Sequence, residues 1–252
     1  MNRHELYHDW LAEEAAAQIH GWDFSHIHGR YEEEDDLPWD YRRAILDRLQ
    51  PQMKLLDMDT GGGEFLLSLG HPHANTAATE AYPPNADLCR RVLAPLGIDF
   101  REAAADGPLP FADNTFDMVI NRHGSFCPEE IARVLRPGGV FITQQVGAFN
   151  DRELVDLLLP GLPLPFPRQQ LAIAAEQFRA AGLTIEDGQE AFGRIRFTDI
   201  GALVWFARII EWEFPGFCVE RCRERLMRAQ RILEARGAVE GRTHRFFLIA
   251  RK

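Results

Sequence analysis

The stretch "LLDMDTGGGEFLLSL", residues 55–69, constrains this chain more than any other. An apolar run closes in carboxylates, three glycines follow, and a second apolar run has helical spacing. This is the pattern of a buried strand turning sharply into a helix. Glycines in such a turn let the backbone take positive φ and let another molecule approach the main chain, while the helix start offers unpaired N–H groups. In an open α/β sheet the ligand crevice lies at the carboxyl ends of the strands, where a turn of this kind would sit.

The flanking sequence repeats the theme. Strands are expected near 53–58, 75–80, 98–103, 116–122 and 139–146, with helices near 63–69, 84–94 and 128–135 between most of them. That alternation predicts a parallel sheet with helices on both faces. "NTAATEAY" is poor in β-branched bulk, so the second strand is the weakest by propensity. Gly138 and Gly139 after "EEIARVLRP" mark an expected helix end. Further on come a proline-rich loop "PGLPLPFP", a helix "RQQLAIAAEQFRAAG", a strand "LTIEDGQEAFGRIRF", helices "TDIGALVWFARIIEW" and "FCVERCRERLMRAQRILEARG", and a last strand "THRFFLIARK". Residues 1–50 hold two helical patterns around "GWDFSHIHGRYEEEDDLPWD" and read as an N-terminal helical cap or lid. Residues 51–252 then form the main domain, with 150–240 a substrate-side elaboration.

Composition removes several classes. The 252 residues are 46% apolar, ample for a core, and no apolar run reaches the roughly 18 residues of a membrane span. The acidic start lacks a signal-peptide pattern, which predicts a cytoplasmic protein. Cys89, Cys127, Cys218 and Cys222 lack paired metal spacing, and the two HxH pairs, His26 with His28 and His71 with His73, lack a third ligand, so no metal is expected. The net charge of −10 disfavours nucleic acid as a partner. Its distribution is uneven: residues 1–50 hold 12 acids against 5 arginines, and residues 194–252 hold 13 basic residues against 7 acids. The basic helix has apolar residues between its arginines, as an amphipathic surface helix does.

A nicotinamide-binding turn reads GxGxxG, but Gly61 and Gly63 are followed by Leu66 at the third position. Alone, GxG fits a structural turn as well as a ligand site. "LLDMDTGGG" resembles the first motif of class I S-adenosylmethionine-dependent methyltransferases, with Asp57, Gly61 and Gly63 on matching positions. The resemblance continues in order through Glu80, "ADGPLPFADNTFDMVI" and "EIARVLRPGGVFI", covers about residues 53–146, and is nearest the branch of ubiquinone and menaquinone biosynthesis enzymes. It implies a Rossmann-like doubly wound α/β sheet of about seven strands, mostly parallel, closed by an antiparallel hairpin from "LTIEDGQEAF" and "HRFFLIARK".

The same resemblance implies S-adenosylmethionine as cofactor. Glu80 is expected to accept from the ribose hydroxyls and Asp106 from the adenine amine, with Tyr82 over the adenine face or simply packed. Asp59 stands where the family has its first glycine. Aspartate tolerates left-handed geometry, and its carboxylate there would meet the cofactor's ammonium. The loop "NRHGSF" after the fourth strand should lie beside the transferred methyl. His123 is its candidate general base, needed only if the acceptor arrives protonated, and Asn121 and Arg122 are candidate contacts to cofactor or acceptor. Trp22 and Trp205 could roof an acceptor pocket or be core, and Arg30 could reach the cofactor carboxylate if its loop folds over the site. The expected reaction is methyl transfer to a small or medium-sized metabolite. An RNA or protein methyltransferase and a non-catalytic cofactor-binding protein are the alternatives.

Overall fold

The computed structural model describes residues 3–18, 24–34, 36–104 and 106–252. The elements follow as α1 (Arg3–Ala16), β1 (Tyr31–Glu33), α2 (Tyr41–Leu46), β2 (Leu55–Met58), α3 (Glu64–Ser68), β3 (Thr76–Glu80), α4 (Pro83–Val92), β4 (Asp99–Glu102), β5 (Phe116–Arg122), α5 (Pro128–Val134) and β6 (Leu135–Val146). Then come α6 (Arg152–Leu158), α7 (Leu171–Ala180), β7 (Thr184–Ala191), β8 (Arg194–Phe197), α8 (Ile200–Ile209), α9 (Val219–Arg236), β9 (Val239–Arg242) and β10 (Arg245–Arg251). Contacts divide the chain into two compact units. The first gathers Met1–Asp36, Ala148–Pro167 and Phe192–His244; the second gathers Leu37–Gly147, Arg168–Ala191 and Arg245–Lys252. The grouping crosses chain order, since residues 37–50 go with the second unit and the rest of the N-terminal stretch with the first.

The second unit contains a seven-stranded sheet in the order β4-β3-β2-β5-β6-β10-β7. Strands β4 to β6 run parallel, and β10 runs antiparallel to both β6 and β7. The seven strands, the parallel core and the closing hairpin are those the resemblance implied. Side-chain alternation divides the core into two layers. Leu56, Val119, Phe141, Phe246 and Leu248 pack with Ile131 and Val134 of α5 and Ala174 and Phe178 of α7. Leu55, Met118, Ile120, Ile142, Phe247 and Ile249 pack with Ile45 of α2, Leu66 of α3 and Cys89 of α4. The strand of weak propensity forms with all five of its residues buried, because the neighbouring β2 and β4 satisfy its backbone on both sides.

Two expectations are corrected here. Helix α5 ends at Val134, within a residue of its expected end, but the strand expected from about 139 already begins at Leu135 (φ −70°, ψ 139°), ahead of the glycines. The register of β6 on β5 shifts between Phe116 and Met118, which takes up the extra residues. The segment expected as one strand, "LTIEDGQEAFGRIRF", breaks at Phe192–Gly193: β7 joins the seven-stranded sheet, and β8 joins a separate antiparallel sheet, β1-β8-β9, in the first unit. A side chain at Gly193 would meet Thr243 Oγ1 at 2.8 Å, so the break sits where two stretches of backbone approach closely.

In the first unit, α1, α6, α8 and α9 bury Trp10, Leu154, Trp205, Phe206 and Leu226 with Phe197 of β8. Asp199 caps α8 by accepting from the Ala202 N–H at 2.8 Å, and Gly237 (φ +77°) closes α9. The basic helix α9 buries one apolar face, as its spacing predicted. No helix among the described residues is long and apolar enough to cross a membrane.

Candidate functional site

Strand β2 delivers Asp57 into the interior, where Thr60 Oγ1 donates to its Oδ2 at 2.6 Å. The chain then takes positive φ three times, at Asp59 (+52°), Gly61 (+63°) and Gly63 (+87°). The left-handed geometry anticipated for Asp59 is therefore the geometry it adopts. The two glycines differ in kind. A Cβ on Gly63 would lie 2.7 Å from Leu93 Cδ2, so this residue is glycine for packing as well as for φ. A Cβ on Gly61 would meet nothing within 4 Å, so the main chain there faces open space.

Glu80, at the end of β3, is buried and braces this turn. Its Oε1 accepts from the N–H groups of Ala81 and Tyr82, both at 2.9 Å, and its Oε2 accepts from the Gly61 N–H at 2.8 Å. A carboxylate offers about four acceptor positions, so one on Oε2 stays available, with Asn85 Nδ2 only grazing it at 3.5 Å. The family motif pointed to Glu80; its bond to the Gly61 amide is a tertiary fact the sequence did not disclose.

The carboxylates around the turn crowd one another. Burial, with smaller contributions from Asp59 and Glu80, pushes Asp57 up to about 7. Burial, then Glu80 and Asp106, pushes Asp59 up to about 6 against a hydrogen bond from the Ser125 backbone. Neither forms an ion pair among the described residues. Gly124 makes room for this: a Cβ there would lie 2.5 Å from Asp59 Oδ2 and 2.8 Å from Asn121 Nδ2. Gly124 and Tyr41 were both missed in the sequence. The Tyr41 hydroxyl is buried near Asp57 and the Asn121 backbone without completing a hydrogen bond, and only the long-range fold brings α2 to this point.

At the end of β5, Asn121 is fully buried and fully engaged. Its Nδ2 donates to Met58 O at 3.1 Å and Ser125 O at 3.4 Å, and its Oδ1 accepts from Gln145 Nε2 at 2.6 Å and Thr143 Oγ1 at 3.4 Å. Its capacity is used in tying β2, β6 and the following loop together. The Arg122 guanidinium lies 4.7 Å over the Phe65 ring. His123 has φ +62°, its N–H donates to Gln144 O at 2.9 Å, and its Nε2 lies 3.3 Å from Gln144 Nε2. Trp39 Nε1 donates to Gln144 Oε1 at 2.8 Å. The residue keeps exposed surface, yet loss of water around the ring, then the charges of Arg245 and Arg122, push its imidazole down to about 3.

Tyr82, two residues beyond Glu80, is 62% exposed, and Asp106 is exposed in the turn after β4. Arg30 Nη1 donates to Glu13 at 2.6 Å and Asp199 at 3.0 Å, so its charge is met within the first unit. Trp205 is core, 1% exposed, and Trp22 lies outside the described residues. No group of three or more metal-ligating side chains clusters among the described residues.

A glycine turn with open main chain, a braced carboxylate at the next strand end and a parallel sheet of this order define a nucleoside-binding α/β site. Comparison with known proteins makes the class specific. A family profile described as a methyltransferase domain matches residues 56–143. Over 143 residues the chain is 32% identical to the phthiotriol/phenolphthiotriol dimycocerosates methyltransferase of Mycobacterium tuberculosis, covering 53% of this chain and 51% of that protein. Over 114 residues it is 34% identical to demethylmenaquinone methyltransferase of Thermus thermophilus, covering 41% and 52%. The chain thus spans about half the length of the curated relatives it matches. Among solved structures, a functionally unknown protein from Deinococcus radiodurans is similar with a TM-score of 0.60 at 18% identity, over 97% of this chain and 98% of that one. The YcgJ protein from Bacillus subtilis follows with a TM-score of 0.58 at 17% identity, over 84% and 97%. At those identities the likeness is one of fold. Residues 56–143 thus match the methyltransferase-domain family, and the solved structures share the fold.

Proposed function

We propose that this chain transfers a methyl group from S-adenosylmethionine to a small or medium-sized metabolite. The observation that carries the reading is Glu80: a buried carboxylate held by three backbone N–H groups, keeping acceptor capacity on Oε2 beside the open main chain of Gly61. That remaining position suits a ribose hydroxyl. The carboxyls at Asp57 and Asp59, both raised by burial and neither in an ion pair among the described residues, suit a cofactor with ammonium and sulfonium charges, and Asp59 is the partner for the ammonium. Tyr82 is free to cover the adenine face, Asp106 to accept from its amine, and Asn121 acts by holding the loop. These residues fit the cofactor.

When bound, S-adenosylmethionine supplies a methyl carbon that is already electrophilic. The protein's work is then to orient the acceptor in line and to keep water out. The names of the relatives, a methyltransferase of phthiotriol and phenolphthiotriol dimycocerosates and one of demethylmenaquinone, support a metabolite acceptor, and the net charge of −10 speaks against a phosphate backbone. Calorimetric titration with S-adenosylhomocysteine tests the reading. Saturable heat in the full chain that is lost in Glu80→Ala is expected, and absence of heat in the unmodified chain would overturn it.

A further inference from the structure

The contact chain Trp39–Gln144–His123 fixes more than an orientation. An indole N–H can only donate, so the Gln144 atom 2.8 Å from Trp39 Nε1 is the carbonyl oxygen. The other amide atom is then the NH2, which also can only donate. His123 Nε2, 3.3 Å from it, must accept. A neutral imidazole that accepts at Nε2 carries its proton on Nδ1. The Trp39 bond holds the Gln144 amide this way round, and the backbone bond from His123 N–H to Gln144 O keeps the two residues side by side.

Two consequences follow for the ring. Its one basic lone pair is already occupied, which is the wrong condition for a general base. Its Nδ1–H has no hydrogen-bond partner among the described residues and is the group left to meet a substrate. The charges act in the same sense. The charged groups acting on His123 are both cationic, Arg245 at the start of β10 and Arg122 at the end of β5, and Arg122 acts on Asp57 as well.

Resting on the methyltransferase reading, we infer that His123 donates through Nδ1–H to an acceptor whose reacting oxygen arrives as an anion, a carboxylate or phenolate, and that Gln144 and Trp39 are its positioning residues. The oxygen's electron pair forms the new O–C bond while the C–S bond breaks and its pair stays on sulfur. The oxyanion and the sulfonium neutralise each other, no proton is released, and no base is required. A protonated alcohol or phenol would need the Nε2 lone pair that Gln144 holds.

The test is nitrogen-detected NMR of the full chain with labelled histidine at pH 7, first ligand-free and then saturated with S-adenosylhomocysteine, with His123 assigned by its loss in His123→Phe. An Nδ1–H pattern is expected, and an Nε2–H pattern overturns the inference. In Gln144→Glu the partner can only accept, so the proton should move to Nε2, and Trp39→Phe should leave a mixture; an unchanged pattern in both variants overturns the positioning role. Benzoate, used as a carboxylate probe, should shift the Nδ1–H resonance and bind about tenfold more weakly to Gln144→Glu. A shift with benzyl alcohol but none with benzoate overturns the choice of an anion. Absence of heat with S-adenosylhomocysteine defeats the cofactor reading alone, because the tautomer is read independently in the ligand-free protein.

Discussion

Two carboxylate clusters, one in each unit, handle charge in opposite ways. In the first unit Glu13 accepts from Arg30 at 2.6 Å and pairs with His26 at 2.7 Å, and Asp199 accepts from Arg30 at 3.0 Å while capping α8. Burial raises the Glu13 carboxyl, but the hydrogen bonds from Arg30 and His26 outweigh it, and the group ends below its ordinary value. In the second unit Asp57 and Asp59 have no ion-pair partner among the described residues and end well above theirs. A charge answered by protein atoms joins chain segments; a charge left unanswered at a strand end is available to a ligand. Arg30 was a plausible cofactor contact from sequence alone; in the structure its Nη1 goes to Glu13 and Asp199.

The sharpest way to break this contrast is Glu80→Ala. If the carboxylate grips the ribose, affinity for S-adenosylhomocysteine by calorimetry should fall about 100-fold, the loss of charge-assisted bonds worth about 3 kcal/mol. The two glycines separate packing from access. Gly63→Ala should destabilise the fold by about 2 kcal/mol in urea unfolding, from the contact with Leu93 and the left-handed φ. Gly61→Ala should cost about 1 kcal/mol, from φ alone, and act chiefly on cofactor affinity.

Asp59→Asn sharpens the electrostatic half. A carboxyl raised in the folded state binds more protons there than in the unfolded chain, so its contribution is greatest in acid and is lost as pH rises through about 6. The unmodified protein should therefore lose about 1 kcal/mol relative to Asp59→Asn between pH 4 and pH 7, read from paired denaturation curves and allowing for solvent screening. Saturating S-adenosylmethionine should flatten that difference. The smallest effect is expected in the other unit: Arg30→Met should cost at most about 1 kcal/mol, since the pair is partly solvated, and leave cofactor affinity unchanged.

Much of the second unit was legible because its signals are local. The order of strands and helices and the turn at Asp57–Gly63 rest on a few consecutive residues with a fixed period or a glycine requirement, whereas the role of Glu80 and the closing hairpin came from the family resemblance. The errors fell where neighbours compete. Helix α5 gives way to β6 at Leu135 because β5 offers a ladder there, and β7 and β8 part at Gly193 because each finds a different sheet. The first unit was scarcely legible as a unit, being assembled from three separate stretches of chain.

By itself the sequence determined the class of sheet, the place of the glycine turn and the carboxylates around it, because backbone φ, side-chain period and residue chemistry are properties of short segments. Only the tertiary structure decided which of those charges are answered. Arg30 meets Glu13 and Asp199, Asn121 spends its amide on the loop, and Trp39 sets the polarity of Gln144 and so the proton of His123. Hydrogen bonds and ion pairs of that kind depend on distances of a few tenths of an ångström between residues far apart in the chain, and no local pattern encodes them.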